Sequence, residues 1–297
     1  MRSNARRYAP HDDRPGRRES VAVRPDGRRP GDPGWEALWL DAGTHRVPVR
    51  VYRPGADAHG WLVWAHGGSW QAGSLEHWHH AVTDLARVCG CTVVSTGYRL
   101  APRYRHPAQL DDVLTALDWA GEQAAGEPLA VGGDSAGGTL AACAALARRD
   151  RGEPLAAQVL AYPPLDPDCA APAYRRDPGA FPAADDLRRA WRMYRGGAGT
   201  AIRGGVPLYS TPLEAGSLAG LAPALLAVGD LDPVRDDVTE YARRLREAGT
   251  PVRLRVFPQT PHAAFLAGDG PGQGDPRLRR WLGTALRRHL TSPKETT

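Results

Sequence analysis

Lysine is almost missing from this 297-residue chain: Lys294 is the sole one, and the other 37 of its 38 basic side chains are arginine. That excludes a nucleotide-binding loop of the form G-x-x-x-x-G-K-[ST], whose lysine must reach the phosphates. Together with the many alanines, the imbalance points to coding bias more than to a site. Cysteine is scarce as well. Cys89, Cys91, Cys143 and Cys169 are too few for a disulfide scaffold at this length, and no C-x-x-C pair suggests zinc, so they are read as packing residues in a reducing compartment. No run of 18 apolar residues occurs, and Met1 is followed by a polar, arginine-rich stretch with no apolar core. A membrane-inserted or secreted protein is therefore not expected, and a cytoplasmic one is.

Hydrophobic residues make up 42% and charged ones 24%, close to globular averages, which excludes wholesale disorder. The formal net charge of +5 comes mostly from residues 1–35, where nine arginines face five acids in a Pro/Gly-rich leader without periodicity. No aromatic residues interleave with those arginines in the manner of a nucleic-acid-binding surface, so no nucleic acid is expected as a partner.

From residue 36 onward strand-like and helix-like segments alternate. Ala37–Leu40 and Val47–Tyr52 predict an antiparallel pair across a turn at Asp41–Thr44. Trp61–Ala65, Thr92–Thr96, Leu129–Val131, Gln158–Ala161, Ala224–Val228 and Val252–Phe257 are short apolar runs suited to strands buried on both faces. Between them Trp78–Val88, Pro107–Ala125, Ala136–Arg149, Asp237–Ala248 and Pro276–Leu290 read as helices, which predicts an α/β fold with a parallel sheet. Residues 163–222 break the pattern, with one amphipathic helix, Ala184–Tyr194, and no strand. They are read as a cap inserted into a catalytic domain of residues 36–162 and 223–297, with the leader as a candidate part of that cap.

The most specific motif is Gly133-Asp134-Ser135-Ala136-Gly137-Gly138, directly after a predicted strand and before a helix. G-x-S-x-G in that setting forces a sharp elbow that holds the serine hydroxyl at the sheet edge, while the helix N-terminus favours a developing oxyanion. Serine is a poor nucleophile unaided and needs a base and an orienting acid, expected in the order Ser, Asp/Glu, His. His262 follows the strand ending at Phe257 and is the expected base. Asp230, Asp232 and Asp236 follow the strand ending at Val228; Asp232 is preferred because Asp232-Pro233 fixes the turn just past it. His66-Gly67-Gly68-Ser69-Trp70 ends another strand and offers the amides of Gly67 and Gly68, with that of Ala136, as oxyanion donors. His66 is expected to hold that loop. The run His77-Trp78-His79-His80 lacks a carboxylate ligand at helical spacing beyond Glu76, so no metal is expected.

With these motifs, Gly97-Tyr98-Arg99-Leu100-Ala101-Pro102 followed by Asp111-Asp112, Tyr162-Pro163, Pro207–Leu213 and Asp232–Asp236, the chain resembles the hormone-sensitive lipase family of α/β-hydrolases over roughly residues 35–290. The resemblance implies an eight-stranded, mostly parallel sheet with a small helical cap, no cofactor, and hydrolysis of carboxylic esters of small to moderate acyl length by Ser135, Asp232 and His262. It implies a small-molecule ester or amide as partner, and a homodimer is compatible with it. Ser69, Trp70, Asp134 and Tyr209 are expected to border the substrate pocket. Ser69 stands where the family has a third glycine, and the H-G-G-x-W form is also similar to formylkynurenine formamidases, which leaves amide cleavage and acyl transfer open. Arg103–His106 and Gln259–His262 also depart from the family pattern. A non-catalytic binding protein on the same fold is disfavoured because all three reacting side chains are retained.

Overall fold

The computed structural model describes residues 32–55, 58–153, 155–177, 179–197, 199–268 and 276–291, so most of the expected leader lies outside the described residues. In chain order the elements are β1 (Gly34–Asp41), β2 (Arg46–Arg53), β3 (Trp61–Ala65), α1 (His79–Cys89), β4 (Thr92–Thr96), α2 (Ala108–Ala124), β5 (Leu129–Asp134), α3 (Ala136–Asp150) and β6 (Ala157–Ala161). Then come α4 (Ala173–Arg176), α5 (Ala184–Arg195), β7 (Ala201–Arg203), β8 (Val206–Leu208), β9 (Ala224–Gly229), α6 (Arg235–Glu247), β10 (Val252–Phe257) and α7 (Arg277–Thr291). The first strand begins inside the stretch expected to be leader, at Gly34.

Eight strands form one sheet in the order β1-β2-β4-β3-β5-β6-β9-β10. The strand β2 is antiparallel to both β1 and β4, and the remaining pairs are parallel, as the α/β reading required. Buried along their whole length, β3, β4, β5, β6 and β9 explain why the sequence shows continuous apolar runs there. The helices α1 and α7 lie side by side, as do α2 and α3, and cover the sheet. By contrast β10 is an edge strand whose Arg253, Arg255 and Val256 are exposed, so the expectation that it is buried on both faces fails. Arginines along an unpaired edge discourage further strand pairing.

The stretch 163–222 departs from its reading as strand-free. A small hairpin, β7 paired antiparallel with β8, closes across Gly204-Gly205, both with positive φ (56° and 79°). Two glycines between short extended segments are the usual chemistry of a two-residue hairpin turn, so a local signal was present. All four cysteines are buried and free. Among the described residues no helix is long and apolar enough to cross a membrane.

A buried ion pair accounts for the Tyr98–Pro102 and Asp111-Asp112 motifs. Asp112, on α2 and 1% exposed, accepts from the Arg99 guanidinium (2.9 Å), the Arg99 amide (2.8 Å) and His45 Nε2 (2.7 Å). It ties the loop after β4 and the β1–β2 turn to the first turns of α2. Replacing Asp112 by Ala would leave the quarter-exposed Arg99 with the Ala108 carbonyl but without its carboxylate. The expected cost is about 2–3 kcal/mol, read from urea unfolding, below that of a fully buried pair because water still reaches the guanidinium.

Candidate active site

The loops that follow β3, β5, β9 and β10 meet at the carboxyl edge of the sheet, where parallel α/β sheets gather their ligands. Ser135 occupies the step from β5 to α3 with φ 51° and ψ −124°, a conformation non-glycine residues rarely adopt. Two things hold it there: its amide donates to Ala161 O (2.9 Å), and α3 starts immediately against the end of β3. At Gly137 an added Cβ would collide with the carbonyl oxygens of Ala65 and His66, so glycine is what lets the helix come this close. The amide of Ala136, in the first turn of α3, has no acceptor within its own helix.

The structure brings Ser135, His262 and Asp232 into one hydrogen-bonded line. Ser135 Oγ lies 2.9 Å from His262 Nε2, and His262 Nδ1 lies 3.0 and 2.9 Å from the two carboxylate oxygens of Asp232. With Nδ1–H donating to the carboxylate, Nε2 is left to accept from the serine hydroxyl. Asp232 is 1% and His262 8% exposed, and the Val234 amide donates to Asp232 Oδ1 (3.0 Å), fixing the carboxylate. The two rival aspartates are engaged elsewhere. Asp230 accepts from the Thr260 amide (3.2 Å), joining the loops that carry Asp232 and His262, and Asp236 accepts from the Ala173 amide (2.9 Å). At Gly229 a Cβ would strike the backbone of Thr260, so those two loops approach as closely as chains can.

Asp134 was expected to border the pocket, but its side chain turns inward. Trp78 Nε1 (2.9 Å) and Trp64 Nε1 (3.2 Å) donate to its Oδ1, and its Oδ2 lies directly under Gly67. Burial pushes its carboxyl from the usual 3.8 up to about 7, against the pull of both indole donors. His66 does hold its loop: Tyr98 stacks on its ring at 4.3 Å and donates its hydroxyl to His66 O (2.8 Å), while His66 Nδ1 reaches Gly67 O (2.7 Å). Burial drives its pKa down to about 4, which keeps the imidazole neutral. Beyond the loop glycines, Ser69 and Trp70 have positive φ (53° and 61°), so the chain turns sharply away from the strand there.

Trp70 is wholly buried, stacked on Tyr194 (4.6 Å, 8° between planes) and beside Trp191 (4.4 Å), both from α5. It anchors residues 163–222 more than it borders open space. Tyr209 is half-buried against the core after β8. Two aromatic neighbours of His262 were not foreseen: Tyr162, edge-on at 4.7 Å, and Phe181, edge-on at 5.7 Å. Tyr162 belonged to a recognised motif without an assigned role, and Phe181 sits in a stretch with no periodic signal. Among the described residues no three His, Cys, Asp or Glu side chains converge as a metal site; His79 instead accepts from or donates to Tyr52 Oη (3.0 Å).

Comparison with known proteins gives a consistent picture. A family described as having the alpha/beta hydrolase fold matches residues 62–266. The chain is 35% identical over 259 residues to an ethyl acetate hydrolase of Pseudomonas putida, covering 83% of this chain and 80% of that one. It is 38% identical over 264 residues to the carboxylic ester hydrolase LipN of Mycobacterium tuberculosis, covering 82% and 68%. Among solved structures, esterase LipW from Mycobacterium marinum superposes with a TM-score of 0.76 at 31% identity, over 88% of this chain and 83% of the other. An esterase from the bacterial hormone-sensitive lipase family does so with 0.74 at 30%, over 87% and 85%.

The raised carboxyl of Asp134 has a pH signature. The folded state keeps the proton between about pH 4 and about 7 where the unfolded chain has lost it, so this group's contribution to stability declines as pH rises through that window. Asp134→Asn removes the titration. Urea unfolding between pH 4.5 and 7.5 is expected to show the variant gaining on the natural protein as pH rises, by an amount on the order of 4 kcal/mol at full effect. A constant difference across that range would contradict a carboxyl held protonated.

Proposed function

This chain belongs to the alpha/beta hydrolase fold family and is a carboxylesterase of the hormone-sensitive lipase type, and within that activity we propose that Ser135 is the nucleophile, His262 the base and Asp232 its orienting acid. The observation that carries this reading is the continuous line from Ser135 Oγ through His262 to Asp232, with no contact longer than 3.0 Å.

Ser135 Oγ attacks the ester carbonyl while His262 Nε2 takes its proton. The carbonyl oxygen gains negative charge and is met by the amides of Gly68 and Ala136, while the Gly67 amide, expected as a further donor, is turned to the buried Asp134 carboxyl. Collapse expels the alcohol, which receives the proton from His262; water then repeats the sequence on the acyl-enzyme. Asp232 keeps Nδ1 protonated and stabilises the imidazolium in both halves. The strained backbone at Ser135 keeps the hydroxyl clear of its own helix and facing the imidazole.

Residues 163–222 act as the cap, supported by Phe181 at His262 and by Trp191 and Tyr194 at Trp70. Small to moderate acyl groups are the substrate class, in keeping with a relative named for ethyl acetate. Amide cleavage and acyl transfer, open on the sequence alone, are not favoured, since the relatives are ester hydrolases.

Ser135→Ala is expected to lower kcat by a factor on the order of 10⁴–10⁶ with the fold intact. A fluorophosphonate adduct mapped by mass spectrometry should sit on Ser135 and on no other serine. Asp232→Asn should lower kcat by about 10⁴ through loss of the imidazole tautomer. Asp230→Asn, which alters a loop contact only, should chiefly lower the unfolding temperature; the reverse pattern would exchange their roles.

A further inference from the structure

We propose that Phe181 is the wall of the leaving-alcohol side of this site and that it makes the protein prefer esters of aryl or bulky apolar alcohols over those of small ones. The proposal rests on the reading of Ser135 as nucleophile and His262 as base.

It follows from where the proton must go. During acylation the Ser135 Oγ–carbon bond forms and the bond from that carbon to the alcohol oxygen breaks. The bonding pair stays on the alcohol oxygen, and the proton His262 Nε2 took from Ser135 moves to it. The alcohol oxygen therefore comes within hydrogen-bond reach of Nε2, and the carbon it carries lies beside the imidazole ring. Two aromatic side chains flank that ring. Tyr162 is fully buried and its hydroxyl accepts from the Phe265 amide (2.9 Å), so it is committed to the floor. Phe181 meets the imidazole edge-on, with 64° between planes, yet is 68% exposed. Phe181 is thus largely uncovered while it touches the imidazole that hands the proton to the alcohol.

An exposed phenyl ring loses unfavourable hydration when an apolar group covers it, and an aromatic group gains ring-to-ring contact besides. A methyl or ethyl group is too small to cover much of it. The acyl group is placed by the oxyanion amides and not by the proton path, so the preference concerns the alcohol alone. Phe181 is carried by residues 163–222, and α5 pins that stretch through Trp191 and Tyr194 onto Trp70. The ring is thereby held over His262 by an anchor that lies away from it.

The test compares kcat/KM for ethyl acetate, benzyl acetate and ethyl hexanoate in the natural protein, Phe181→Ala and Phe181→Trp. The two acetates pass through the same acetyl-enzyme, so their ratio reports the alcohol alone, and the two ethyl esters report the acyl side. Phe181→Ala is expected to lower the benzyl-to-ethyl ratio about tenfold while changing the hexanoate-to-acetate ratio less than about twofold, and Phe181→Trp to restore the first ratio. An equal fall for all three esters would make Phe181 merely structural and overturn the proposal. So would a change confined to the hexanoate-to-acetate ratio, which would place the ring on the acyl side. The parent reading is checked by the natural protein first: no turnover of any of the three esters would overturn that reading and the proposal with it.

Discussion

Everything at this site depends on how closely the first turn of α3 approaches the end of β3. The carbonyls of Ala65 and His66 sit where any side chain at Gly137 would have to go, so the sheet and the helix meet backbone to backbone. That contact bends the chain through the strained conformation of Ser135 and sets the Ser135 Cβ against Gly67. Ser135 and the Gly67-Gly68 loop come from different parts of the chain, and only a contact with no side chain between them brings them together. The strain at Ser135 is local, while the packing that sustains it spans the core.

Three buried aspartates do comparable work for different loops. Asp112 secures the loop after β4 through Arg99, and Asp134 sits under the oxyanion loop with two indole donors. Asp237 receives the amides of Leu165 and Asp166 and the hydroxyl of Tyr174, and so ties the start of residues 163–222 to α6. Burial pushes Asp237 up to about 6, as it pushes Asp134 to about 7. A buried carboxylate is costly unless several donors converge on it, which is why each one also specifies where its neighbouring backbone must lie. Irregular loops, lacking the repetitive bonds of helices and strands, gain a unique geometry from such centres.

Residues 163–222 bridge the site, with Phe181 at the imidazole and α5 at Trp70. Little of this could be read in advance. The strands of the β7–β8 hairpin are three residues each, too short for a periodic pattern, although Gly204-Gly205 marked the turn. Phe181 lies outside any regular element, and its position depends on side-chain contacts between segments more than eighty residues apart in sequence.

The sequence by itself determined the elements and the chemistry available to them. Apolar runs bounded by turn residues specify buried strands, because a parallel sheet is covered on both faces. G-D-S-A-G-G specifies an elbow, because glycine alone tolerates the backbone distances involved. The succession Ser135, Asp232, His262 was legible because each follows a parallel strand, a buried one for Ser135 and Asp232 and the edge strand β10 for His262. What only the tertiary structure decided is the direction of each side chain once the loops were folded together. It chose Asp232 over Asp230 and Asp236 by engaging those two with backbone amides, turned Asp134 inward to Trp64 and Trp78, and buried Trp70 under α5. Backbone conformation follows largely from a residue and its near neighbours, whereas the partner a polar or aromatic side chain finds is set by groups that meet only when distant segments pack.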